Sequence, residues 1–255
     1  MRLKNNREPE KKPVYRHELK YLLSWQEAEL LKQRLAPIME RDPHTDENGE
    51  YLIRSLYFDD YFNSAYVEKE AGIYARKKYR IRIYNCSDSV ISFERKKKAD
   101  QYICKQSARI TREECDMILN GEYDFLEKSD NPFRQELYVE LRSRLLRPRV
   151  MVDYDREPFI CHTGDVRITL DKRVRGSGFT DLFDPNLPMT DVIPFDKVIL
   201  EVKFTQFLPS LIRTVLPPKA AENSAISKFV LCCDVAPREA EAFAVCAQNS
   251  LLKLV

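Results

Sequence analysis

The chain has 255 residues, of which 44% are hydrophobic and 32% are charged. This balance excludes a largely disordered chain, and no apolar run approaches the roughly 18 residues of a membrane-spanning helix. The net charge is only +2, so overall charge does not point to a polyanionic partner. The first residues are charged and lack the apolar stretch of a secretory signal. The sequence therefore predicts a soluble cytoplasmic protein, without membrane insertion, that forms one domain over residues 1–255.

The N-terminal third is predicted to combine strands with one helix. Its elements are a strand at Val14–Leu23, a helix that begins at the capping box Ser24–Glu27, and a strand at Tyr51–Asp59. The middle of the chain adds strands at Ile73–Tyr84, Val90–Lys98 and Tyr102–Ile110, then helices from Thr111 to Gly121 and from Pro132 to Leu146. The remainder contains strands at Arg149–Arg156, Val166–Arg175 and Lys197–Thr205, a long loop at Asp181–Pro194, and helices at Ser224–Val235 and Pro237–Leu252.

The cysteine and glycine content limits the possible cofactor chemistry. Seven cysteines and three histidines are present, but their spacing matches neither a disulfide framework nor a zinc cage. We expect reduced, mostly buried thiols, and any metal should be a hard cation held by carboxylate. The two common glycine-rich nucleotide-binding loops are absent. Phosphates, if bound, would therefore be bound by side chains.

Charged side chains recur at every second position of the predicted strands, and such positions share one face of a strand. Arg80 and Arg82, for example, alternate with Ile81 and Ile83. The stretch Arg76–Lys98 holds nine basic and two acidic residues, which indicates a local anion site. The other charged faces are Arg16, Glu18 and Lys20; Ser92, Glu94, Lys96 and Lys98; Arg167, Thr169, Asp171 and Arg173; and Glu201 and Lys203.

Two interpretations of these faces are possible. An antiparallel sheet with one solvated face would also alternate in this way, although a solvated face usually carries more Ser, Thr, Asn and Gln. If helices cover the apolar side and the sheet closes, the charged faces line the inside of a barrel. Two cations about 5 Å apart repel by roughly 3 kcal/mol at an effective dielectric constant near 20. A basic interior therefore implies a polyanionic ligand.

Eight short motifs resemble one known family. They are R-H-E-L-K-Y (Arg16 to Tyr21), S-L-Y-F-D-D (Ser55 to Asp60), Y-R-I-R-I-Y (Tyr79 to Tyr84), F-E-R-K (Phe93 to Lys96), Y-D-R (Tyr154 to Arg156), V-R-I-T-L-D (Val166 to Asp171), L-E-V-K-F (Leu200 to Phe204) and S-K-F (Ser227 to Phe229). In this order they resemble the polyphosphate polymerase domain of the vacuolar transporter chaperone (VTC) type, within the triphosphate tunnel metalloenzymes.

The resemblance implies an α+β fold, an eight-stranded antiparallel β-barrel with helices packed outside. It also implies a phosphotransferase that passes the γ-phosphoryl group of ATP to a growing polyphosphate chain. Glu201 would hold the divalent cation, Mn²⁺ or Mg²⁺. Implied catalytic contacts are Lys20, Arg80, Arg82, Lys96 and Lys203. Implied substrate-binding residues are Lys105, a looser match, and Arg156, Arg167, Ser227 and Lys228. Expected ion-pair partners of these cations are Arg16, Glu18, Glu94 and Asp171.

One departure from the family pattern bears on the reaction. Hydrolytic and cyclase-like members of the superfamily carry E-x-E-x-K on the first strand, whereas this chain has Arg16 in place of the first glutamate. The loss of one metal-ligating carboxylate favours the polymerase branch. The N-terminal sensor domain and the C-terminal membrane spans of the full-length eukaryotic members have no counterpart in this sequence.

Three classes of function remain open on the sequence. The first is an ATP-dependent polyphosphate polymerase, the second is a hydrolase of triphosphate or short polyphosphate, and the third is a non-catalytic polyphosphate-binding module. Nucleic acid is a weaker alternative ligand, because no aromatic platform for bases accompanies the basic residues. The sequence leaves the oligomeric state open.

Overall fold

The computed structural model describes residues 15–100, 102–216 and 226–236. Its main feature is a closed ring of eight antiparallel strands. In chain order these strands are β1 (Tyr15–Ser24), β3 (Tyr51–Asp59), β4 (Ala75–Tyr84), β5 (Ser87–Ala99), β6 (Tyr102–Ile110), β7 (Arg147–Cys161), β8 (Val166–Ser177) and β10 (Lys197–Phe204). Two short strands, β2 (Glu40–Arg41) and β9 (Thr190–Asp191), pair with β7 and β8 outside the ring.

The ring order is β7, β3, β4, β5, β6, β1, β10, β8 and back to β7. Every pairing is antiparallel. The first strand of the ring, β1, closes it by pairing with β6 on one side and β10 on the other. The ring encloses a space that we call the tunnel, and the predicted eight-stranded antiparallel fold is confirmed.

Seven helices accompany the ring in the described part of the chain. They are α1 (Trp25–Leu35), α2 (Ser64–Glu70), α3 (Arg112–Leu119), α4 (Asp124–Glu127), α5 (Pro132–Ser143), α6 (Ser210–Val215) and α7 (Lys228–Val235). The predicted capping boxes at Ser24 and Thr111 both form, so these two helices begin where the sequence places them. None of the helices within the described ranges has the length and apolar character needed to cross a bilayer.

Strand alternation separates apolar from ionic side chains, as the sequence predicts. On β4, Tyr79, Ile81 and Ile83 point outward and are almost completely buried under α3, α4 and α5, whereas Arg80 and Arg82 point into the tunnel. A second apolar cluster joins α1 and α6 to the outer faces of β1, β8 and β10. Each fully buried aliphatic side chain contributes roughly 1.5–3 kcal/mol, so the outer faces hold the ring together.

Helix α7 sends side chains to the inner face of the ring. Phe229 packs on Tyr57 with 5.1 Å between ring centroids, and both belong to a buried cluster with Val150 and Val152 of β7. The helix approaches β8 closely at Gly176, where an added Cβ atom would lie 2.8 Å from the Cβ of Cys232. Part of the tunnel is therefore filled by apolar side chains of α7.

The structure contains three helices that the sequence analysis missed, α2, α4 and α6. Helix α2 shows why: its N-cap residue, Asn63, makes no capping hydrogen bond. Instead, the carboxylates of Asp59 and Asp60 accept hydrogen bonds from the amides of residues 64, 65 and 66. The carboxylates precede the helix by several residues, so a search for a local capping box does not find them. The predicted helix Pro237–Leu252 lies outside the described residues.

The predicted charged face of β8 is wrong at its last member, Arg173. The pairing of β7 with β8 shifts register between Asp153 and Asp155, and Arg173 has a φ of 48°. This irregularity turns its side chain out of the tunnel, where it binds Asp155 at 2.6 Å and Glu50 at 3.3 Å. A bulge reverses the facing of residues beyond it, and strict alternation cannot predict that.

Candidate active site

A cavity inside the tunnel gathers most of the residues that the sequence singles out. Among the described residues, eight basic side chains line it, whereas the carboxylate of Glu201 is its single acidic group. Tyr57, Tyr154 and Phe229 supply its aromatic wall, and Ser227 supplies a hydroxyl. The basic residues come from five strands and from α7; they are Lys20, Lys78, Arg80, Arg82, Lys96, Arg156, Lys203 and Lys228.

Glu201 lies at the centre of four cations. Strand register places it opposite Lys20, and its Oε1 atom is 3.1 Å from the Lys20 Nζ and 2.8 Å from the Lys228 Nζ. Its Oε2 atom is 2.8 Å from the Lys203 Nζ and 3.5 Å from a nitrogen of Arg156. Burial alone would raise the pKa of Glu201, but these four charges outweigh it and hold the pKa well below its ordinary value.

Asp171 positions two of these cations from behind the cavity. Arg156 donates two parallel hydrogen bonds to the Asp171 carboxylate, at 2.7 and 2.8 Å, and the Lys228 Nζ lies 2.5 Å from it. The Asp171 side chain is completely buried. Bidentate pairs of this kind fix the plane of a guanidinium, so Asp171 acts as the ion-pair partner that the sequence predicts.

The two arginines of β4 are held in different ways. Arg80 donates to the Glu94 Oε2 atom at 2.6 and 2.8 Å and to the Tyr57 hydroxyl at 2.7 Å. Arg82 instead donates to hydroxyl oxygens, those of Ser55 and Tyr154, at 3.0 Å each. Glu94 is 4.0 Å from Arg82 but 2.6 Å from Arg80, so Arg82 keeps more of its charge available for an anionic ligand.

Lys96 is bound to a carboxylate and yet loses its proton more easily than a free lysine. Its Nζ donates to both oxygens of Glu18 at 2.9 Å. Burial, together with the nearby charge of Lys20, lowers the pKa of Lys96 to about 8 despite this partner. The burial of Lys203 likewise lowers the pKa of that ammonium.

Lys78 is a cavity residue that the sequence analysis missed. Its Nζ donates to the Ser227 hydroxyl at 3.0 Å and lies 4.3 Å from the ring centroid of Phe229. Burial, followed by the charges of Lys20 and Lys96, lowers the pKa of Lys78 well below its ordinary value. Lys78 precedes Arg80 by two positions, so strand periodicity was the signal that could have identified it.

Three expected residues lie off the cavity surface. Arg167 binds Asp42 at 2.6 Å and the Tyr51 hydroxyl at 2.8 Å. Lys105 is half exposed and binds Glu94 at 2.9 Å, on the side of that carboxylate away from Arg80. Arg16 pairs with exposed Asp165 at 3.0 Å and so orients none of the cavity cations, contrary to the prediction for this residue.

The carboxylates of the site fit a divalent cation when phosphate is also present. The described residues contain no group of three or more His, Cys, Asp or Glu side chains that could hold a metal by themselves. Glu201 is connected to Glu18 through Lys20 and to Asp171 through Lys228. Mg²⁺ commonly binds one or two carboxylates and takes phosphate oxygens and water for the rest. Glu201 can therefore hold such a cation together with a bound phosphate.

Comparisons with solved structures bear on the fold of the chain. Among solved structures, the chain is similar to the proposed adenylyl cyclase HpAC1 from Hippeastrum, for which a dominant triphosphatase activity is described, with a TM-score of 0.50 and 12% identity over 89% of this chain and 98% of that chain. The PH1012 protein of Pyrococcus horikoshii OT3 gives a TM-score of 0.46 and 13% identity over 85% and 98% of the two chains. The likeness to HpAC1 shows a shared fold.

Sequence comparison adds the family. No curated protein matches the chain. The family model of the VTC domain, however, matches residues 15–236, a span that contains every strand of the ring and all of the cavity residues. The chain therefore belongs to the VTC domain family.

Proposed function

We propose that this protein is an ATP-dependent polyphosphate polymerase, which transfers the γ-phosphoryl group of ATP to a growing polyphosphate chain. The observation that carries the proposal is the charge of the cavity, where eight basic side chains surround Glu201. Membership of the VTC domain family supports a polyphosphate-related substrate. The loss of the first glutamate of the E-x-E-x-K pattern, at Arg16, favours transfer to phosphate over the related hydrolytic chemistry.

Phosphoryl transfer requires little covalent participation by protein, because positioning and charge neutralisation supply most of the rate enhancement. The guanidinium of Arg82 can present two parallel N–H groups to phosphate oxygens. Lys20, Lys203 and Lys228 act as point charges that Glu201 holds close together. The tunnel geometry can thus hold a triphosphate in a fixed orientation and neutralise its negative charge.

The proposal includes a divalent cation, Mn²⁺ or Mg²⁺, held by Glu201. Such a cation, when bound, neutralises charge on the phosphate oxygens. In the ligand-free protein, Glu201 is fully occupied by cations. We therefore expect the metal to bind as a complex with the nucleotide and to bind poorly alone.

Incubation of the purified protein with ATP and Mn²⁺ tests the proposal, with long-chain polyphosphate and free phosphate measured in the same samples. The proposal expects polyphosphate to accumulate with matching release of ADP, and expects Arg82→Ala to abolish most of it. Free phosphate without polyphosphate would establish a hydrolase instead. Tight binding of tripolyphosphate with no metal-dependent turnover would establish a binding module.

A further inference from the structure

The inner faces of β4 and β5 carry facing cations near the beginning of β4. Strand register places Arg76 opposite Lys98, and the next inward-facing pair is formed by Lys78 and Lys96. Like charges that lie directly opposite each other destabilise a sheet. Glu18 offsets part of this cost at the Lys78–Lys96 pair, because it binds Lys96 at 2.9 Å. The Arg76–Lys98 pair carries a cost that the fold must offset or that a ligand must remove.

Direct ion pairs form deeper in the tunnel, whereas the described residues form none with the cations at this end. The third inward pair, Arg80 and Glu94, forms an ion pair at 2.6 Å. By contrast, the described residues provide no ion pair for Arg76 or Lys98, or for Lys69 on the adjacent helix α2. We call Lys69, Arg76 and Lys98 the mouth cluster. It continues the basic lining of the cavity, but its cations make no direct ion pair with a described carboxylate.

The mouth cluster behaves as a set of mutually repelling charges. Burial and then the charge of Arg76 lower the pKa values of both Lys69 and Lys98. The charged groups that face the cluster from neighbouring elements are Glu68 and Glu70 on α2, Glu18 and Lys20 on β1, and Lys78 and Lys96 on β4 and β5. The three acids are shared among more numerous cations, so the cluster keeps an excess of positive charge.

We propose that the mouth cluster is a binding site for the part of a polyphosphate chain that extends beyond a triphosphate held in the cavity. The proposal rests on the proposed function, because it places the triphosphate at Arg80 and Arg82. Arg76 lies four residues from Arg80, about 14 Å along an extended strand, so a ligand must continue along the tunnel wall to reach it. Phosphoryl groups at the cluster would supply the missing negative charges.

The test compares the affinities of tripolyphosphate and of size-fractionated, longer polyphosphate for the full chain. The variant Arg76→Gln/Lys98→Gln removes one facing pair of the cluster. It should weaken the binding of the longer chain by about tenfold, as expected for two partly exposed charge contacts, and should change tripolyphosphate affinity by less than about twofold.

The matched control is Lys77→Gln/Lys97→Gln. These two lysines also face each other across β4 and β5 but lie on the outer face, where Lys77 binds Glu140 at 2.6 Å. The control should leave both affinities unchanged. Equal loss in both variants, or a loss shared by tripolyphosphate, would overturn the mouth cluster as a chain site. Failure of tripolyphosphate to bind the unmodified protein would overturn the proposed function itself.

Discussion

Two carboxylates, Glu201 and Glu94, each gather cations inside the tunnel, but they stand in different places. Glu201 forms part of the cavity surface, whereas Glu94 lies behind Arg80 and does not reach the cavity. Both are buried, and nearby cations lower the pKa of each against the effect of burial. Similar clusters of ion pairs can therefore serve two purposes in one tunnel. Glu201 is exposed to whatever occupies the cavity, in line with the proposed metal role, whereas Glu94 orients Arg80 from behind.

The largest effect is expected from Glu201→Gln. If Glu201 holds the divalent cation of the reaction, this change should lower turnover by roughly 100- to 1000-fold, the scale of one strong electrostatic contact. Tripolyphosphate should still bind, because the eight basic side chains of the cavity remain. Steady-state rates with Mn²⁺ measure the loss of turnover, and calorimetric titration with tripolyphosphate measures whether binding is retained. Turnover that is indifferent to the change and to metal would remove Glu201 from the reaction.

The same variant should also unfold more easily. It leaves Lys20, Lys203 and Lys228 close together without their shared carboxylate, and breaking a buried ion pair in this way costs about 3–5 kcal/mol. Tripolyphosphate should restore much of the lost stability, because it replaces the missing negative charge. Thermal unfolding with and without tripolyphosphate measures this rescue. An equal destabilisation in both conditions would contradict a phosphate site at this position.

Glu94→Gln should act on binding more than on turnover. Loss of the Glu94 charge releases Arg80, so KM for the triphosphate should rise by about tenfold while kcat changes by less than about threefold. The matched control is Glu136→Gln, which removes the partner of the buried residue Arg95 on the outer face of the same strand. A large fall in kcat in the Glu94 variant would mean that Glu94 acts directly on the reacting groups.

A smaller effect is expected from pH through Lys96. Burial lowers the pKa of this residue from 10.5 to about 8, so its charge is lost as the pH rises through 8. Tripolyphosphate affinity should therefore fall by a few-fold between pH 7 and pH 9, by the loss of one charge contact. Lys96→Arg keeps its charge over this range and serves as the control, since ligand titration affects both proteins equally. Parallel affinity curves for the two proteins would contradict the assignment.

The lowered pKa of Lys96 affects stability in the direction opposite to its effect on affinity. The unfolded chain keeps this proton to about pH 10.5, so between pH 8 and that value the unfolded state binds more protons than the folded state. Lys96 should consequently increase the free energy of unfolding, and so stabilise the folded protein, as the pH rises through this window.

The smallest effect is expected from Arg167→Ala. Arg167 is held by Asp42 and Tyr51 away from the cavity surface, so the change should alter tripolyphosphate affinity by less than about twofold. Arg82→Ala, which removes a cavity residue of the same type, should weaken the affinity by tenfold or more. Similar losses in the two variants would show that the triphosphate extends as far as Arg167.

Strand periodicity predicted which side chains share a face, and the family resemblance predicted that these faces line a closed tunnel. Alternation puts Arg80 and Arg82 on the inner face because the charge pattern and the strand share a period of two residues. The family motifs also identify Ser227 and Lys228. Strand periodicity cannot identify these two residues, because they lie at the beginning of helix α7 and not on a strand. Lys78 was missed although it obeys the same period as Arg80.

Features that depend on distant parts of the chain could not be predicted. Arg54 is a charged residue on the outer face that is almost fully buried. It binds Asp153 of the adjacent strand at 2.9 Å and donates to the backbone carbonyl oxygens of Leu182 and Asp184 in the loop that covers it. These partners are separated from Arg54 by about a hundred residues or more, so no local sequence pattern predicts them. The bulge at Arg173 likewise depends on the pairing of β8 with β7 and has no local sequence pattern.

The closure of the ring through β1 has a consequence for how the protein folds. β1 is the first strand of the ring, and one of its two neighbours is β10, which begins at Lys197. Pairing of strands so far apart in the chain is slow because a long loop must close first. During synthesis, β1 and β8 therefore remain open sheet edges until Lys197–Phe204 has emerged, and open edges invite pairing with other chains. The cluster around Glu201 is complete only later still, when Lys228 of α7 has followed β10.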